Sequence, residues 1–170
     1  MRGAHCKEHP YYIPQLFIKD TTSSEYLVLG ENRARARRAR DCKEGSECFG
    51  KTVYGVVLDE IIDVVEKRAV KSFIVVLPPQ YTKALLLEEG SHVEPIPIEG
   101  VRASLEVCEG DKVDKNSTIG YVATRKWEFK HIRSHVEGVV VYIHYSPYGG
   151  IERNIVFIAP EEEVTYIDVV

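Results

Sequence analysis

The sequence predicts an α+β protein, with a small α/β unit over residues 1–97 and an all-β barrel over residues 98–170. Three observations carry this. A strand, helix, strand order runs from Val53 to Leu77, and a second stretch from Val107 to Val140 is rich in β-branched residues between turn glycines. Between them the composition changes, at Pro95-Ile96-Pro97.

In the first half, Tyr11 to Ile18 and Tyr26 to Leu29 are strand-like. Asp59 to Lys71 is the best helix: Leu58, Ile61, Ile62, Val65 and Ala69 recur at helical spacing. Acidic Asp59, Glu60 and Asp63 also precede basic Lys67, Arg68 and Lys71, as the helix dipole favours. Ser72 to Leu77 is a continuous apolar run stopped by Pro78-Pro79, the mark of a buried strand, and Lys83 to Leu87 is a further strand ending at Gly90. In the second half, Gly110-Asp111 and Gly138 are turns, and Val113, Ile119, Tyr121, Val122, Phe129, Ile132 and Val139 favour short strands. Ser146 to Gly150 is a longer turn before Ile155 to Ile158, and Val164 to Asp168 alternates apolar and polar residues.

The chain of 170 residues holds one ordinary domain or two small ones, and its net charge of −4 argues against the whole surface being a nucleic-acid platform. No apolar run reaches membrane-spanning length and Met1 to Cys6 lacks the apolar core of a signal peptide, so a soluble cytoplasmic protein is expected. Glutamine occurs only at Gln15 and Gln80, against abundant charged residues, a thermophile-like balance.

The cysteines divide into three accounts. Cys6 and His9 form a C-x-x-H pair, and with Cys42 and Cys48 they would make a Cys₃His zinc site. A Cys42–Cys48 disulfide is the competing account, and free thiols the third. Cys108, beside a turn, is expected to be a small buried hydrophobe. His131 and His135 are read as surface or interface residues, and no nucleotide-binding loop or cysteine-based catalytic set is visible. Arg33, Arg35, Arg37, Arg38 and Arg40 form a run that would neutralise phosphates on RNA or another anionic ligand, or lie on a solvated face.

One stretch carries a family pattern. Val107, Gly110, Asp111, Val113, Lys126, Ile132, Ser134, Gly138 and Val140 follow V-x-x-G-D-x-V, a hairpin bearing a lysine, then I-x-S-x-x-x-G-x-V. This resembles the biotinyl/lipoyl carrier domain, a barrel-sandwich hybrid, and the resemblance implies that Lys126 lies at or beside a hairpin tip. It also implies a possible biotin or lipoate attachment there. The departures are specific: Arg125 and Trp127 flank Lys126, His135 stands where proline is usual, and one residue is in surplus between Lys126 and Gly138, expected as a β-bulge on the returning strand. As a whole the chain resembles an uncharacterised archaeal family of the domain-of-unknown-function 2118 type, which lends no activity.

Two functional classes follow. The departures favour a non-catalytic scaffold or interaction protein that holds no cofactor and keeps an unmodified barrel for its shape. The alternative is a carrier acylated on Lys126 by biotin or lipoate. A homodimer is also expected, because the terminal strand from Val164 has little left in the chain to cover it; the competing possibility is that it returns to the N-terminal sheet.

Overall fold

A computed structural model describes residues 13–170, which fall into two units: residues 13–92 with Glu162–Val170, and Val93–Glu161. The division lies after His92, close to the proline-marked boundary read from the sequence, but residues 162–170 belong with the first unit rather than the second.

The first unit is not α/β. Its strands are β1 (Gln15–Lys19), β2 (Tyr26–Leu29), β3 (Arg35–Ala39), β4 (Cys48–Thr52), β7 (Phe73–Leu77), β8 (Lys83–Leu87) and the last strand of the chain, β16 (Val164–Val169). They close into a barrel in the order β1-β4-β2-β3-β16-β8-β7, and β16 is parallel to β3 while every other pair is antiparallel. Alternation along each strand turns one set of side chains inward. Phe17, Leu27, Leu29, Ala36, Phe49 and Ile74 lead the core they form.

The helix expected over Asp59 to Lys71 shrinks to the single turn α1 (Leu58–Ile61), followed by a small hairpin of β5 (Ile62–Asp63) and β6 (Arg68–Ala69). The cause is local. Asp63 Oδ1 accepts from the backbone N–H groups of both Val65 and Glu66, each at 3.0 Å, an Asx turn that competes with helical bonding. Lys67 then takes a left-handed φ of 56°, and the β-branched Ile61, Ile62, Val64 and Val65 weaken any helix competing with the turn. The fold class is therefore corrected from α+β to nearly all-β.

The terminal strand β16 is hydrogen-bonded on both sides, to β3 and to β8, so the open edge that motivated the homodimer is filled within one chain. Lys83 Nζ, hydrogen-bonded to Asp168, holds that carboxyl below the ordinary aspartate range. The contribution of this exposed pair is present at neutral pH and is lost as pH falls through that lowered value.

The second unit comprises β9 (Glu94–Gly100), β10 (Arg102–Leu105), β11 (Lys112–Val113), β12 (Thr118–Ala123), β13 (Phe129–Arg133), β14 (Gly138–Tyr145) and β15 (Glu152–Ala159). A three-stranded sheet, β10-β12-β13, and a four-stranded sheet, β11-β14-β15-β9, enclose one core that includes Ile98, Ile119, Val122, Val140, Val156 and Ile158. The Gly-Asp turn is built by two bonds. Asp111 Oδ2 accepts from the Cys108 N–H at 2.8 Å, and the Gly110 N–H, at φ 88°, donates to the Val140 carbonyl at 2.7 Å. At Gly138 a Cβ would lie 2.3 Å from the Ala159 carbonyl oxygen, so only glycine lets β14 approach β15 there.

Candidate functional site

The β12–β13 hairpin presents Lys126. Thr124 to Glu128 form its turn: the Trp127 N–H donates to the Thr124 carbonyl at 2.9 Å, and the Glu128 N–H to Thr124 Oγ1 at 3.2 Å. The Thr124 N–H in turn donates to the Glu128 carbonyl at 2.9 Å, which closes the loop. Arg125, Lys126, Trp127 and Glu128 are all exposed. Trp127 sits in the left-handed region at φ 60°, where a bulky residue is rare. The irregularity in this hairpin is not where the sequence placed it. The register jumps from Thr118↔Arg133 to Gly120↔Ile132, so the surplus residue is Ile119 on the outgoing strand, and its buried side chain explains why the bulge falls there.

Strand alternation gives the three-stranded sheet two different faces. Ala103, Leu105, Val122 and Ile132 pack on the core. The other face carries Ser104, Tyr121 and His131 in one register row and Arg102, Ala123 and Phe129 in the next. The Tyr121 and His131 rings meet edge to face with centroids 4.6 Å apart. Phe129 is 76% exposed and Trp127 65%. Among the described residues β13 pairs with β12 alone, so this aromatic row borders an open sheet edge. Sequence reasoning singled out Lys126 and missed these rings; the signal was the alternation Lys126-Trp127-Glu128-Phe129-Lys130-His131-Ile132-Arg133.

The arginine run becomes strand β3 and the turn before it, which splits it between two faces. Arg33, at φ 57°, donates through Nη1 to both carboxylate oxygens of Glu47, at 3.0 and 2.8 Å, and through Nη2 to Glu88. Lys19 joins Glu47 at 3.6 Å, so Arg33 is part of an internal ion-pair network. Ala36 points into the core, and Arg38, two residues on, lies across the ladder from Leu27. Its guanidinium donates to Gln15 Oε1 at 3.0 Å and to the Tyr81 carbonyl at 3.2 Å. A cavity of about 590 Å³ is lined there by Phe17, Tyr26, Arg38 and Arg40. Arg35, Arg37, Arg38 and Arg40 are exposed, Arg35 and Arg37 lying on the opposite face of β3 from Ala36 and Arg38. The five arginines therefore make no single cationic surface.

Cys42 and Cys48 are joined in a disulfide, with Cα atoms 6.0 Å apart, at the two ends of the turn between β3 and β4. With both sulfurs in that bond, neither is a thiolate donor; Cys6 and His9 lie outside the described residues. No group of three or more His, Cys, Asp or Glu among the described residues is placed to hold a metal ion. Cys108 is buried, as expected of a small hydrophobe, but it is also disulfide-bonded. Because the Cys42–Cys48 loop is short, with a sequence separation of 6, opening it with Cys42→Ser should lower stability by only about 2 kcal/mol. Urea denaturation of the two proteins measures it. His135 and His131 are exposed, and His135 Nε2 lies 2.9 Å from Glu94 Oε1.

The described chain thus consists of two small β units, one of which presents Lys126 and exposed rings on a hairpin. Residues 11–161 match the family described as "Uncharacterized protein conserved in archaea (DUF2118)", and the chain belongs to that family. It is also 25% identical over 157 residues to an uncharacterized protein of Methanocaldococcus jannaschii, a match covering 91% of this chain and 95% of that one. No helix among the described residues is long and apolar enough to cross a membrane.

Proposed function

We propose that residues 93–161 are a biotinyl/lipoyl-like barrel retained as a non-catalytic interaction module, with Lys126 unmodified and the β12–β13 hairpin as its contact surface. Trp127 carries this reading. A left-handed backbone costs an ordinary residue roughly 1–2 kcal/mol. An indole 65% exposed recovers little of that by burial, so folding alone gives no reason for a tryptophan at this position. Glycine would suit the backbone better, and Trp127→Gly should raise stability by about 1 kcal/mol, read as an increase in the urea midpoint. A lower midpoint would mean that the ring packs for structure.

The second reading, a carrier, is favoured by the exposure of Lys126 within the turn. Against it stand the arginine and tryptophan flanks and the bulge at Ile119, which change what an attaching ligase would meet on the hairpin. Intact mass of the protein from its native host decides between them. The module reading expects the mass of the unmodified chain, 19.3 kDa. An increment equal to a biotinyl or lipoyl group, lost in Lys126→Arg, overturns it.

A further inference from the structure

The outward face of the β10-β12-β13 sheet, together with the hairpin tip and the β13 edge, combines two features. The first is a set of rings: exposed Trp127 at the tip, exposed Phe129 below it, and half-buried Tyr121 against exposed His131 in the next row. The second is local charge. Between Lys115 and Ser134, Arg125, Lys126, Lys130 and Arg133 are basic and Glu128 is the one acidic residue, on a chain whose net charge is −4. Arg125, Lys126 and Lys130 are exposed and form no ion pair with another described residue, and Arg133 donates only to the Asn116 carbonyl, at 3.2 Å. Evolution of a merely soluble surface needs the cations without the rings, and a surface for apolar docking needs the rings without the cations.

Deepening the module reading, and resting on it, we infer that this sheet face and hairpin bind single-stranded nucleic acid. Bases stack on exposed rings whatever their identity, while guanidinium and ammonium groups track the phosphates. The sheet supplies the spacing. Same-face neighbours along β13, Phe129 and His131, stand about 7 Å apart, so the platforms succeed one another along the strand. Lys130 points the other way and lies at the open edge of β13, beside the rings, where a backbone running along that edge would pass. A duplex hides its bases in the stack and cannot use the rings, so the surface selects unpaired strands.

Trp127 is the single tryptophan of the chain, which makes its fluorescence a reporter confined to the site. The test titrates the full chain with a mixed-sequence 12-nucleotide RNA, the same DNA strand, and its duplex, following tryptophan emission and the anisotropy of a labelled strand. Both single strands should quench Trp127, with duplex binding much weaker. With four phosphate contacts, affinity should fall about 50-fold between 50 and 200 mM salt. Phe129→Ala, an exposed change that leaves the core intact, should weaken binding about 5- to 150-fold. Lys126→Ala with Lys130→Ala should lower the salt slope by about 1.4. The inference is overturned if no strand quenches Trp127 at low salt, if duplex binds as tightly as single strands, or if Phe129→Ala binds unchanged. If an acidic peptide quenches Trp127 and oligonucleotides do not, the nucleic-acid partner falls while the interaction module stands. A lipoyl or biotinyl mass on Lys126 removes the module itself.

Discussion

Gly50→Ala is expected to abolish the folded barrel of the first unit. In the barrel order β4 lies between β1 and β2, so the connection from β1 to β2 must cross over β4. It crosses at Gly50. A Cβ built there would lie 2.0 Å from the Thr21 carbonyl oxygen and 2.9 Å from its carbon. Both are backbone atoms, which no rotamer change can move aside. The connection is also pinned on either side of the crossing, because the Asp20 N–H donates to the Cys48 carbonyl at 3.3 Å before it and Ser23 Oγ donates to the Lys51 carbonyl at 2.9 Å after it. Relief would require breaking those bonds and the β4 ladder with them. A cost of about 4 kcal/mol or more takes most of the stability of a small domain. Circular dichroism in a urea series reads the result directly; a variant with the parental midpoint would mean that the crossing has slack.

Phe17→Ala should rank next, at about 3–5 kcal/mol. Phe17 is fully buried at the middle of β1, and its ring is among the largest side chains in the barrel core. Its ladder partners, Lys51 on β4 and Ile74 on β7, are fixed by pairing on both sides, so the walls cannot collapse into the space left behind. That restraint puts the cost in the upper part of the range for aromatic truncations. The same urea series checks it, with Phe17→Leu, which keeps most of the apolar volume, as the control, expected to cost less than half as much.

Much of the strand content was legible because it is written in local pattern. Phe73 to Leu77 is apolar at every position because it is covered on both faces, and the turn at Gly110-Asp111 follows from residues whose backbone preferences are strong. The helix over Asp59 to Lys71 misled because its apolar spacing is real, with Ile61, Ile62 and Ala69 all buried, while the backbone is set by one carboxylate, Asp63, bonding two residues ahead. Barrel closure was out of reach for a different reason. It depends on pairing Ala36 with Val169 across most of the chain, and no local period records such a contact. Of the candidate surface, Lys126 stood out through a family pattern, whereas Trp127, Phe129 and Tyr121 look like ordinary strand residues until pairing shows which face they share.

The closing strand has a consequence for the order in which the molecule is made. Seven strands of the second unit, β9 to β15, leave the ribosome before β16, and none of them needs β16 for its pairing. The barrel has six of its strands synthesised first and then waits, with β3 and β8 as unpaired edges, until Val164–Val169 follow. During that interval the earlier half of the chain is an open, sticky sheet, and the later half can already be complete. The later unit can therefore complete its own pairing before the barrel is able to close, the reverse of the usual N-to-C sequence of domain folding during translation.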